Sequence, residues 1–364
     1  MICSSDGYVK YLPILKWRQG EYQALLRLDP QTKENIYPLF VVPPVEYDFE
    51  EQRPKKSPEE HVEKLATRYK QKWGLLPSLV DIDSSLHLQN VQDGRTVPEF
   101  IFDELKGVKG IFSPVVKLDY DKSYLAAVKR SWQTCNTGIG IRISLDELAS
   151  PSSVVQIASL QSFIGCTQDK TDLIIDFGKG ASYEPTDDVI LVVKTILGQI
   201  DNLNGYRSIY VVGTSLELGD VKKPGAEQAR KEWIFFQALY RSISNTYSKL
   251  GYGDYTIETP EFTSLDMRML KPAAKIVYSY KDKWIIYKGG SFRDNPAQMK
   301  GLCKKLITAK ENYYYGRTFS QGDEKIYDCG INNGSTGTLG TWKEAAISHH
   351  LTLVVIQNAS LHGF

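Results

Sequence analysis

Eight times along the chain a short run of apolar and β-branched residues gives way to a segment whose apolar positions recur at helical spacing. The strand-like runs are residues 11–16, 36–42, 78–82, 112–119, 138–144, 172–178, 208–215 and 255–262. Helical patterns follow them, beginning with 19–29. Ser57-Pro58-Glu59-Glu60 has the form of a capped helix start, with proline at the first helical position and acids in the first turn. Parallel strands need long crossovers, so a single series of eight strand–helix units predicts a (β/α)8 TIM-like barrel. An open doubly wound sheet is the competing arrangement. After the eighth strand, residues 275–290 read as an inserted β-hairpin turning at Lys281-Asp282-Lys283, and 295–311 as the last barrel helix. Residues 1–311 are therefore assigned to the barrel. Residues 312–364, rich in Gly, Tyr, Ser and Thr at first and ending in a helix or strand, are assigned to a C-terminal extension that caps it.

The 44 basic and 43 acidic residues nearly cancel, which disfavours a protein whose whole surface binds nucleic acid but leaves room for a local basic pocket. No apolar run approaches the roughly 18–20 residues that span a membrane. The first residues lack the basic, apolar and small-residue order of a secretion signal, so a soluble, cytoplasmic protein is expected. Five scattered cysteines without a CxxC pair fit free thiols in a reducing compartment.

Side chains two apart along a strand share a face. Lys16, Asp81 with Asp83, Lys117 with Asp119, Arg142 with Ser144, Asp176, Ser215 and Glu258 each follow a short apolar, β-branched run. In a barrel such strand ends converge on one mouth, where barrel enzymes place their functional groups. Gly138 and Gly140 share the face of Arg142 and would leave room below it, as Gly213 would below Ser215.

Bases interleaved with acids suit an anionic ligand held beside a general acid or base. Lys16, Lys117 and Arg142, with Ser215, are assigned to ligand binding. Asp81 or Asp176 is assigned as base or metal ligand and Glu258 as acid. The interleaved lysines argue against a pure metal site, and no cofactor is assigned. The competing reading is a set of interior ion pairs that fix barrel geometry. Lys288, Gly289 and Gly290 precede the last helix and are a candidate phosphate cradle, weighed against a simple turn. Adjacent His349 and His350 point to different sides of any regular element and so do not share a metal easily. Tyr313, Tyr314 and Tyr315 could rim a partner interface within 313–342 or pack the extension onto the barrel.

The segments 11–25, 36–44, 252–260, 273–290 and 319–330, with the terminal TW and SHHLTLVV, occur in an order that resembles the phage and bacterial beta protein family. That family's typical members carry arginine where this chain has Val277 and Lys288. The resemblance implies a phage–host setting, with a part in anti-phage defence, and supplies no reaction. Two expectations follow. One is a barrel whose mouth binds an anionic small molecule, phosphorylated or nucleotide-like, with hydrolysis as the reaction class the residues allow. The other is a non-catalytic module that captures a protein partner.

Overall fold

The computed structural model describes residues 9–179, 183–184, 186–262 and 271–363. Eight parallel strands close into one barrel: β1 (Leu12–Lys16), β2 (Leu39–Val42), β3 (Ser78–Ile82), β4 (Phe112–Val116), β5 (Ile139–Ser144), β6 (Thr171–Lys179), β7 (Ser208–Thr214) and β9 (Leu250–Asp254). Their order around the barrel is β1-β9-β7-β6-β5-β4-β3-β2, which follows the chain. The barrel reading holds. One helix start shows why local sequence sufficed outside the sheet: the Ser57 hydroxyl accepts from the Glu60 amide at 3.2 Å while the Glu60 carboxylate takes the Ser57 amide at 2.8 Å. That reciprocal cap begins the helix Pro58–Val62.

The interior is apolar through its middle, filled by Leu12, Ile14, Leu39, Val41, Leu79, Val115, Ile174, Tyr210 and Val212. Gly140 does not open a space there, since a Cβ would lie 3.0 Å from both Leu79 and Val115. The N-terminal end is shut by Arg207, which donates to Asp172 through Nε at 2.8 Å, with Tyr37 and Ser208 on the same carboxylate. Asp172 is fully buried, and each of these partners offsets its desolvation.

The eighth strand is Leu250–Asp254, not 255–262. Its sequence, Leu-Gly-Tyr-Gly-Asp, looks like a turn, but the glycines are there for packing. A Cβ on Gly251 would lie 2.6 Å from the Tyr210 ring, and one on Gly253 would lie 2.7 Å from the Leu12 carbonyl. Thr256, at φ 55°, ends the strand, so Glu258 belongs to the loop beyond it.

The expected hairpin is present as β10 (Ala273–Tyr280) and β11 (Lys283–Ser291). A third strand, β8 (Gly225–Ala229), pairs antiparallel with β11. The helix that follows β8 begins at Lys231. Helices α1 (Gln19–Leu26), α8 (Gln298–Ile307), α9 (Gln321–Gly330) and α10 (Leu339–Leu361) are the ones that bear on the site. Among the described residues ten helices run eight residues or longer, and these four are the first, eighth, ninth and tenth of them along the chain. A separate core of Tyr278, Met299, Cys303, Ile326, Cys329 and Trp342 joins the hairpin to α8, α9 and α10. Helix α10 also packs its other side against the barrel layer through Ile347, Leu351 and Val354. Among the described residues no helix is long and apolar enough to cross a membrane. Cys135, Cys166, Cys303 and Cys329 are free thiols, and Cys3 lies outside the described residues.

Candidate functional site at the barrel mouth

A cavity of about 1100 Å³ opens over the C-terminal ends of the strands. Its floor is built by inward positions of the barrel: Lys16 after Ile14, Asp81 after Leu79, and Arg142 after Gly140. Lys117, just past β4, continues the register of Val115. One wall is the segment that carries the small hairpin Tyr47–Asp48 with Arg53–Pro54. The opposite wall is the loop after β9, with Tyr255, Glu258 and Phe262.

Arg142 is the hub of the floor. Its Nε donates to Asp176 at 2.8 Å, its Nη1 to Asp81 at 3.3 Å and its Nη2 to the Tyr255 hydroxyl at 2.6 Å. Burial opposes the guanidinium's charge, but Tyr255, Asp176 and Asp81 outweigh it and push its pKa well above the ordinary arginine value. Tyr120 donates to the second oxygen of Asp81 at 2.7 Å, and the Gly178 amide to the second oxygen of Asp176 at 2.8 Å. Every oxygen of these two carboxylates is therefore engaged. Asp81 lines the cavity, while Asp176 stands behind Arg142 and does not.

Lys16 faces the opposite corner. Its Nζ lies 3.8 Å from Glu258 and donates to the Glu261 carbonyl. Burial lowers its pKa, and the charges of Glu258 and Glu21 work against that shift. The Phe262 ring lies beneath two cations, 4.9 Å from Lys16 and 5.5 Å from Arg18. Lys117 sits 5.4 Å from the Tyr120 ring. Among the described residues, Arg18 and Lys117 line the cavity without an ion pair. Asp83 instead caps the turn after β3, accepting from Ser85 through both its amide and its hydroxyl. Asp119 is exposed at the rim.

Of the assigned residues, the structure gathers Lys16, Asp81, Lys117, Arg142 and Glu258 around this cavity, with Asp176 one layer behind. It does not bring in Ser215, Lys288, Gly289 or Gly290. Ser215 continues the outward register of Ile209 and Val211, whereas Tyr210 and Val212 are the inward positions of β7. Its hydroxyl is tied to Glu232 and to the Ala229 carbonyl. Gly213 is likewise outward, under the Tyr183 hydroxyl. Lys288 donates to the Val221 carbonyl. The Gly290 amide is taken by Gln298 at 2.6 Å, and that side chain also occupies the space above Gly289. The Gly290 amide is therefore not presented to a phosphate.

Sequence reasoning missed Arg18, Tyr120, Tyr255, Phe262 and the wall of residues 44–50. The short spacing from Lys16 to Arg18, both next to Trp17, was the available signal for the first. Val277 is buried in the barrel's outer core and does not line the cavity. Among the described residues no three His, Cys, Asp or Glu side chains are grouped as metal ligands.

The histidine pair serves two different networks. His349 bonds Asp323 at 2.8 Å and the Ser279 carbonyl at 2.7 Å. His350 bonds Asp254 at 2.8 Å, and burial lowers its pKa. The three tyrosines also have internal partners: Tyr313 donates to Glu227, Tyr314 to the Asp323 carbonyl, and the Tyr315 amide to the Tyr278 hydroxyl.

A closed parallel barrel with its charged cavity at the C-terminal strand ends places this chain among the α/β-barrel proteins. It belongs to the Beta protein family, whose model matches residues 11–356. A search of curated proteins finds no match.

Proposed function

We propose that the barrel mouth binds a phosphorylated, nucleotide-like anion. The observation that carries this reading is the separation of charge by depth. Deep in the floor, Arg142 satisfies Asp81 and Asp176. Higher up, Arg18 and Lys117 face the cavity without an ion pair among the described residues; the charge of Arg18 is felt by Glu46, which is itself paired with Lys55. Phe262, Tyr120, Tyr47 and Phe49 add aromatic faces on which a base can stack.

Binding is better supported than hydrolysis. Asp81 and Asp176 are both held in ion pairs with the buried Arg142, which proton uptake would break, so neither suits a general base. Glu258, partly exposed beside Lys16, is the mouth carboxylate placed to act as acid or base if turnover occurs. The setting in phage–host conflict is proposed on the family resemblance alone and is tested by phage challenge of cells carrying the intact or the mutated gene.

Isothermal titration calorimetry with a panel of nucleoside mono-, di- and triphosphates tests the site. The double variant Arg18→Ala, Lys117→Ala should weaken the best ligand at least tenfold, since each lost charged contact is worth roughly 1.5–3 kcal/mol. A correctly folded double variant that binds as tightly as the parent overturns the reading. Release of phosphate that disappears in Glu258→Gln would add hydrolysis to it.

A further inference from the structure

Lys343 belongs to α10, far along the chain from the barrel mouth, yet its ammonium reaches Glu258, a residue that lines the cavity. It lies 2.9 Å from Oε1 of Glu258 and 3.4 Å from Oε1 of the buried Glu21 on α1. Its stem crosses α1 directly over Gly20, where a Cβ would lie 3.1 Å from the Lys343 chain. The neighbouring pair Arg27–Glu344, at 2.7 Å, fixes the same two helices together. Glu258 is thus shared by two cations at unequal distances, Lys343 at 2.9 Å and Lys16 at 3.8 Å.

From this geometry we infer that Lys343 is a positioning residue of the mouth: it draws Glu258 away from Lys16, so that the Lys16 ammonium stays available to an anionic ligand. The inference rests on the mouth being an anion site. Coulomb attraction rises as distance falls, and the nearer cation takes the larger share of a carboxylate's charge. Burial opposes the charge on Lys343, but Glu21 and Glu258 outweigh it and raise its pKa; below about pH 7, where Glu21 holds its proton, Glu258 remains as the counter-charge. Lys16 shows the reverse, its pKa lowered by burial with Glu258 too distant to restore it. Without Lys343, Glu258 has one cation left to pair with. It closes on Lys16, and the ligand loses a contact. The C-terminal helix is then a working part of the site and not only a cover.

Two readouts on the full chain test this. The first is the titration of the Lys16 amine, followed by NMR in lysine-labelled protein and assigned with Lys16→Arg. Lys343→Met should raise the Lys16 pKa, and most of that rise should vanish when Glu258→Gln is also present. Lys343→Arg should restore the parental titration and serves as the folded control if the methionine variant is unstable. A Lys16 amine that does not move, or moves equally with glutamine at 258, overturns the inference, because loss of Lys343 repulsion alone would give the latter. The second readout is affinity for inorganic pyrophosphate. Lys343→Met should weaken it about tenfold, the scale of one charged contact, and should have no further effect in a Lys16→Met background. If the Lys16 amine responds as stated but pyrophosphate binds to no variant or parent, the anion reading of the mouth fails while the positioning role stands.

Discussion

Replacing Glu21 with glutamine should remove a pH dependence from the stability of the fold. Glu21 is 1% exposed, and its Oε1 faces the Lys343 ammonium at 3.4 Å without a well-formed hydrogen bond. Oε2 accepts from the Arg18 amide at 3.3 Å. Burial pushes its pKa up from 4.5 to about 7; the Lys343 charge opposes the rise and Glu258 adds to it. The folded protein therefore holds a proton at pH 5–7 that the unfolded chain has released. Stability from this group is full below about pH 4.5 and is lost as pH rises through about 7. At about 1.4 kcal/mol per tenfold change in proton affinity, the loss is about 3 kcal/mol. Glutamine keeps the shape and the acceptor for the Arg18 amide but does not ionise. The variant should match the parent near pH 5 and exceed it by about 3 kcal/mol at pH 8. Urea unfolding of both proteins at pH 5, 6, 7 and 8 measures the difference, in which every other titrating group cancels to first order. A stability difference constant across that range would refute the argument, because it would mean that Glu21 titrates alike in the folded and unfolded chains.

Arg142→Met should destabilise the barrel by about 3–5 kcal/mol, the scale of stripping the cation from a buried ion pair, read as a lowered urea midpoint. Adding Asp81→Asn and Asp176→Asn should recover much of it; no loss in the single variant would show that the hub contributes nothing to stability. Ser215→Ala and Lys288→Ala, both outside the cavity, should leave ligand affinity within twofold of the parent by calorimetry, and a tenfold loss in either would place the binding site elsewhere.

The floor of the site was legible because strands have a period of two. Lys16, Asp81, Lys117, Arg142 and Asp176 continue the inward positions Ile14, Leu79, Val115, Gly140 and Ile174, and counting residues was enough to find them. The same counting misplaced Ser215, because β7 is apolar on both faces and nothing in Ser-Ile-Tyr-Val-Val-Gly-Thr says which alternate set is inside. Only the packing of Tyr210 against Tyr37 and of Val212 near Gly253 decides it. The eighth strand was hidden for a different reason. Strand propensity reports side chains that fill a pleated surface, and Gly251 and Gly253 are selected for the opposite, the closeness of their neighbours. The walls were barely legible, with the spacing of Arg18 from Lys16 as the one signal. Arg18, Phe262 and residues 44–50 leave their strands by loops whose paths depend on contacts across the mouth. The histidines lie between these cases. Adjacent positions in a regular element diverge, which made one shared metal unfavourable, but their carboxylate partners Asp323 and Asp254 could not be named in advance.

Under the proposed anion site, the two readings of the interior charges, ion pairs that fix the barrel or groups that hold a ligand, apply at different depths. Desolvation forces a buried carboxylate to find a cation, and at Arg142 two carboxylates share one. That arrangement leaves the floor short of positive charge, so an anion arriving from solvent gains little by reaching it. The gain lies one level higher, where solvent still reaches Arg18 and Lys117 and no carboxylate is required to neutralise them. Lys16 sits between the two levels. It is buried enough to need Glu258, yet Lys343 competes for the same carboxylate. Whether the mouth offers a ligand two cations or three is therefore decided by a side chain from the last helix of the chain.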